Sequence, residues 1–398
     1  MELKTIFSLN FFAFFIKGIC ALVLNIIVAN YLETPEFVEW SIFFSLVMLL
    51  SISDLGIGQY VLTSFMEIRA GSKKGIVLIS ESIAALVSIS LLAFLGILCF
   101  LYVIDKLNFY YVGLVAILLI RIPITTYSAY LQSIDKLHEK KLVESLGYFI
   151  AVTAVFLATS LDASFDEILM LFVIIISLSQ ILIIVRASRW SCPKLDIKYF
   201  VARASLFSGA APFLANNSAN LLIYGAFISL SSLVLTDEAL ALLAILHATI
   251  LTYGYQGCEL VFRILQVRFL IHDFRAKIKY YFLYSCLVGF IFIAFTGTYL
   301  FELGYPRYSF SISNILLFSL FSLFEFYYLL LTFHIQIVSN LSPYLTVLSV
   351  TKVVVFISAL FVYFFFQMAE LNFYLILLSV SSIVSILCAV FVTRIEKK

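Results

Sequence analysis

Residues 77–103, VLISESIAALVSISLLAFLGILCFLYV, decide the fold class, because a single acid, Glu81, and no base interrupt an otherwise apolar and serine-bearing run. Such a block is longer than the roughly 20 residues that carry a helix across a bilayer. Lys73 and Lys74 precede it, and Asp105 and Lys106 follow it, so charge stands only at its ends. Lipid offers no partner to backbone N–H and C=O groups, so a segment that crosses it must satisfy them itself, as a helix does. The alternating pattern over about 10 residues that marks a membrane barrel is absent.

The pattern repeats along the chain. Apolar blocks predict spans near 6–30, 38–62, 77–103, 109–131, 144–160, 167–187, 205–232, 239–262, 280–300, 311–334, 344–366 and 372–393. Of the 398 residues 63% are hydrophobic and 12% charged, with a mean hydropathy of +1.11. A water-soluble domain is about half apolar and about a quarter charged. The reading is an all-α polytopic membrane protein of about twelve transmembrane helices. The first block lacks a small-residue cleavage site and reads as a retained helix.

Lysine and arginine orient the spans. With the N-terminus inside, the cytoplasmic segments hold Lys4; Arg69, Lys73 and Lys74; Lys136, Lys140 and Lys141; Arg186, Arg189, Lys194, Lys198 and Arg203; Arg263, Arg268, Arg275, Lys277 and Lys279; and Arg394, Lys397 and Lys398. Of the 25 basic residues only Lys106 and Arg307 fall outside, a strong positive-inside bias that puts both termini in the cytoplasm. The basic loops are explained by this topology and by anionic lipid heads, so the net charge of +2 gives no reason to expect nucleic acid. The basic loop from Arg186 to Arg203 divides the chain into six-helix bundles, 1–190 and 191–398. Thr34-Pro35-Glu36 and Thr236-Asp237-Glu238 stand at matching places in the two halves. An even number of spans per half gives both the same orientation, related by a pseudo-two-fold axis along the membrane normal.

Several chemistries are excluded. No phosphate-loop motif is present, since Gly71-Ser72-Lys73-Lys74-Gly75 has the wrong spacing. The six cysteines have no metal-ligand spacing and the four histidines are scattered, so no metal, cofactor or catalytic constellation is expected. No outer loop is large enough for the chemistry of a membrane glycosyltransferase or polymerase, and the chain does not read as an enzyme.

Ionisable groups inside a span cost a few kcal/mol, about 2.5–3.5 on insertion scales, and are functional candidates by default. Lys17, Arg121 and Lys352 are the deep bases; Asp54 and Glu325 are the deep acids. Depth permits Glu325 to pair with Lys352, and Asp54 to reach Lys17 or Arg121. Two readings stay open: structural ion pairs that hold helices together, or a hydrated cavity with surplus positive charge suited to a phosphate head group, where arginine grips with two donors. A desolvated Asp54 or Glu325 could then bind a driving proton or sodium ion. Asn216, Asn217 and Asn220 form an amide stripe that could meet sugar hydroxyls or a neighbouring helix. Arg121-Ile122-Pro123 predicts a kink beside a buried charge.

Leu32-Glu33-Thr34-Pro35-Glu36-Phe37-Val38-Glu39-Trp40, followed by Ser53-Asp54-Leu55-Gly56-Ile57-Gly58, resembles the opening of O-antigen flippases. These are the Wzx-type polysaccharide members of the multidrug/oligosaccharidyl-lipid/polysaccharide exporter superfamily. Val38 stands where that pattern has glycine. The resemblance implies a bacterial inner-membrane transporter that moves an undecaprenyl-pyrophosphate-linked sugar repeat outward by alternating access, coupled to an ion gradient. It implies cationic residues facing a central cavity as contacts for the pyrophosphate; the motif itself contains none, and Lys17, Arg121 and Lys352 are assigned to that role by their depth and chemistry. It also implies membrane lipids, a polymerase and a chain-length regulator as partners. A multidrug-type cation antiporter and an O-antigen polymerase are the alternatives.

Overall fold

Backbone groups shut off from water have to be satisfied locally, and the computed structural model of the protein meets that demand with helices and no strand among its described residues. These residues are 3–52, 56–67, 72–134, 136–190, 192–203, 205–208, 210–211, 213, 226–252, 299, 301–337, 342–366 and 370–395. The helices are α1 Leu3–Tyr31, α2 Thr34–Ile52, α3 Ile57–Glu67, α4 Lys73–Val103, α5 Phe109–Leu119, α6 Arg121–Ser133, α7 Leu137–Ser160 and α8 Phe165–Arg189. They continue as α9 Phe227–Ser231, α10 Asp237–Leu246 with a π-helical extension His247–Thr252, α11 Ile312–Ile337, α12 Ser342–Phe366 and α13 Leu371–Ile395. Eight segments among the described residues are long and apolar enough to cross a membrane: Phe12–Tyr31, Lys73–Val103, Phe109–Ser133, Leu137–Ser160, Phe165–Arg189, Ile312–Leu329, Tyr344–Phe365 and Leu371–Val392. They coincide with eight of the expected spans, and the protein is a multi-pass membrane protein. Of the others, the span at 38–62 is carried by α2 and α3. Those at 205–232 and 239–262 lie partly outside the described residues, and that at 280–300 almost wholly outside them.

Short polar caps set the helix boundaries. Asn108 starts α5 by accepting the Tyr111 N–H at 2.8 Å, and Ser164 donates its N–H to Glu167 at 2.8 Å as a capping box on α8. Asp105 and Asp162, at φ 55° and 54°, close α4 and α7 in the left-handed conformation. Each is followed by the hydrogen bond of a Schellman turn, Lys106 N–H to Leu101 O at 2.9 Å and Ala163 N–H to Ala158 O at 3.0 Å. The flippase-like motif is read in the same terms. Glu36 accepts the Glu33 N–H at 3.2 Å and so caps α2. Gly56, at φ 83°, takes a conformation that only glycine adopts freely. The matching Thr236-Asp237-Glu238 also opens a helix, with the Thr236 hydroxyl accepting the Ala239 N–H.

The chain packs as two units, Met1–Leu24 with Leu46–Asn217, and Asn25–Ser45 with Ser218–Lys398. In the first, α7 lies along α8, and α6 packs on α3, α4 and α8. Between α5 and α6 the helix breaks at Ile120: Pro123 has no N–H for the Leu119 carbonyl, and the break carries Arg121. In the second, α13 packs against both α11 and α12. There Phe227 stacks on His247 at 5.2 Å and on Phe321 at 5.8 Å. Buried serines recur throughout, and most return their hydroxyl to their own helix. Ser82 donates to Leu78 O at 2.6 Å, Ser322 to Phe318 O at 2.8 Å and Ser385 to Ser381 O at 3.0 Å.

Gly147 lets α7 and α8 approach, since a Cβ there would fall inside the Ser179 side chain. Gly147→Ala is expected to destabilise the detergent-solubilised protein by about 1–3 kcal/mol, as overpacking does. Gly147→Ala/Ser179→Gly should recover most of that loss in a thermal melt followed by size-exclusion chromatography.

Candidate functional site

The first unit gathers charge around one carboxylate. Lys17 on α1 meets Glu144 on α7 at 3.1 Å, and Lys141 and Lys140 approach the same carboxylate at 3.6 Å each. Lys140, Glu144 and Tyr148 recur at intervals of four, so they share one face of α7. Lys17 also lies 5.2 Å from the centre of the Tyr148 ring, a cation–π distance. The Ser145 hydroxyl donates to the Ala13 carbonyl and fixes the register of α7 against α1. Arg121 enters from the start of α6, close enough to Tyr148 and Glu144 to interact with them electrostatically. Its Nε and Nη1 atoms are shut off from the surface.

Around Glu144 the bases Lys17, Lys140, Lys141 and Arg121 outnumber the single acid. Lys17 and Glu144 keep only 14% and 10% of their side-chain surface, so their attraction is weakly screened. Lys140 and Lys141 stand in the first turns of α7, at the positive end of the helix dipole.

In the second unit Glu325 on α11 receives Lys352 on α12 at 2.6 Å on one oxygen, and the Ser382 hydroxyl on α13 at 2.6 Å on the other. Lys352 lies 4.0 Å over the Tyr328 ring. Tyr328 donates to the Leu348 carbonyl at 3.3 Å. Only 3% of the Lys352 side chain and 1% of Glu325 remain exposed. Both carboxylate oxygens are satisfied, and one residue from each of three helices closes the network.

Of the residues singled out in the sequence, Lys17 and Arg121 thus stand near one another in the first unit, and Lys352 and Glu325 are brought together in the second. Asp54, Asn216, Asn217 and Asn220 lie outside the described residues. The partner of Lys17 is Glu144, which the sequence placed at the edge of a span. The helix begins at Leu137 rather than at residue 144, which moves Lys140 and Lys141 from a loop onto the helix. The signal that could have found this face is the four-residue spacing of Lys140, Glu144 and Tyr148. Among the described residues no group of histidine, cysteine and carboxylate side chains could hold a metal ion.

These helices and buried charges define a multi-pass helical membrane protein with ion pairs inside its bundles. No protein-family model matches the sequence, and no curated protein matches it. Solved structures do. The lipid II flippase MurJ in an inward closed conformation superposes with a TM-score of 0.66 at 14% identity, over 97% of this chain and 87% of that one. A MATE transporter in complex with MaL6 gives 0.63 at 13% identity, over 100% of this chain and 97% of that one. A MOP superfamily transporter from Pyrococcus furiosus, described by the reverse polarity of its binding pocket, gives 0.61 at 12% identity, over 100% and 98%. The fold of the chain is the fold of MOP superfamily transporters.

Removing one partner of a buried ion pair costs about 3–5 kcal/mol, because the other charge is stranded. Glu325→Leu and Lys352→Met are each expected to lower the thermal midpoint of the purified protein sharply. The double variant Glu325→Leu/Lys352→Met should restore most of it. A double variant no more stable than the single ones would show that the two charges do more than neutralise each other.

Proposed function

We propose that the protein is a flippase that carries undecaprenyl-pyrophosphate-linked O-antigen or polysaccharide repeat units from the cytoplasmic to the periplasmic leaflet of the bacterial inner membrane. It works by alternating access, with both termini in the cytoplasm and an ion gradient as the driving force. The observation that carries this reading is the cluster of Lys17, Lys140, Lys141 and Arg121 about Glu144. Lysines supply point charge to a diphosphate, and arginine can grip it with two donors. The likeness in fold to a lipid II flippase supports a lipid-linked substrate.

In this reading Lys17 and Arg121 meet the diphosphate. Lys352, held by Glu325, chiefly ties α11 to α12. Asp54 remains the candidate for the coupling ion, and Asn216, Asn217 and Asn220 for the sugars. The translocated repeat passes to a polymerase and chain-length regulator. A second reading, export of organic cations, draws on the likeness in fold to a MATE transporter. It requires a cavity that attracts cations, against which the cluster about Lys17 speaks.

Purified protein in vesicles should translocate a fluorescent undecaprenyl-pyrophosphate-linked sugar. A hydrogen bond to a charged group is worth about 1.5–3 kcal/mol, so Lys17→Ala and Arg121→Ala should each slow transport by roughly 10- to 100-fold, with Lys17→Arg retaining most of it and Lys106→Ala unaffected. Unchanged transport in Lys17→Ala/Arg121→Ala would remove the cluster from the pathway. Movement of a cationic dye in place of the lipid would favour the second reading.

A further inference from the structure

The segment after α8 carries one short 3-10 turn, Ile197–Tyr199, and is tied down on both sides of it. Trp190 lies under Lys136, 3.9 Å from ring centre to Nζ, and its carbonyl accepts the Tyr130 hydroxyl at 2.7 Å. Cys192 is half-buried, and desolvation pushes its thiol up to about 12. Asp196 donates its N–H to Ser80 on α4 at 2.9 Å, and Arg203 pairs with Glu81 on the same helix at 3.0 Å. The segment is therefore a strap, pinned to α4 through contacts more than a hundred residues apart in sequence and to α6 across 60.

The face that the strap turns outward mixes bases and large apolar groups. Arg189, Lys194 and Lys198 are exposed. Between and beyond them stand Leu195, Ile197 at 84% exposure and Val201 at 59%. Asp196 is the one acid in this stretch, and its carboxylate is engaged by the Lys198 N–H at 3.0 Å. The depth of the strap follows from α4. That helix has 31 residues and is about 46 Å long, against a hydrocarbon core of roughly 30 Å. Its basic first turns, from Lys73, accordingly stand among lipid head groups, and Ser80 and Glu81 lie about 10 Å along it. A strap bonded to those two residues sits at the boundary between head groups and acyl chains.

We infer that the strap 192–203, with Arg189 at the end of α8, is an interfacial anchor that binds anionic phospholipid head groups through Arg189, Lys194 and Lys198 while Leu195, Ile197 and Val201 enter the outermost acyl region. Positive charge beside apolar side chains at this level matches an acidic lipid surface, where each basic residue contributes about fivefold in affinity. Nothing in this inference depends on what the protein transports.

The test uses the full-length protein with Trp190→Phe and Ile197→Trp, reconstituted in phosphatidylcholine vesicles with or without phosphatidylglycerol. Trp190→Phe alone supplies the background from Trp40. Bromines just below the head group should quench the indole introduced at position 197. They should do so more strongly when carried by phosphatidylglycerol than by phosphatidylcholine at equal fraction. Adding Arg189→Gln, Lys194→Gln and Lys198→Gln should abolish that preference. Quenching by aqueous iodide but not by brominated lipid would overturn the inference, as would a preference that survives the three substitutions.

Discussion

An ammonium group inside a bilayer must find its counter-charge within the protein, and the helices of this chain are arranged so that it does. Lys17 reaches Glu144, and Lys352 reaches Glu325. The two solutions differ in kind. Glu325 is saturated, with one oxygen on Lys352 and the other on Ser382. Glu144 is shared among three lysines at unequal distances, with Arg121 and Tyr148 close by. Saturation suits a tie between helices. Sharing spreads the one negative charge over several bases, so that no single bond carries it.

The rest of the architecture serves these charges. Pro123 interrupts a span so that Arg121 enters at a helix start, and Gly147 lets α7 come close to α8 at Ser179. The α4–α5 and α7–α8 connections are kept short by aspartates in the left-handed conformation, and the Asn108 amide caps α5. In this light the acid of the flippase-like motif, Glu36, is a helix cap, and the glycine, Gly56, a turn former. Both positions carry the family likeness through backbone geometry rather than through chemistry with a substrate.

The membrane fold was legible in the sequence because the bilayer demands long apolar blocks, and those leave an unmistakable trace. The pairing of Glu325 with Lys352 was legible too, since consecutive spans put the two at one depth. Glu144 was not. The first turns of α7 are polar and carry Lys140 and Lys141, so hydropathy places them in a loop, although the helix has already begun at Leu137. The strap was hidden for another reason: Asp196 and Arg203 find their partners on α4, and no local pattern announces a contact made across four helices.

The self-bonded serines have a mechanical consequence. A hydroxyl that donates to a carbonyl one turn back carries its bond along when its helix moves. Ser82, Ser322 and Ser385 therefore present small, already satisfied surfaces to their neighbours. Such faces behave as slip planes: adjoining helices can shear past one another without tearing hydrogen bonds worth about 1 kcal/mol apiece. The resistance to shear is then concentrated at the few points where helices are truly cross-linked.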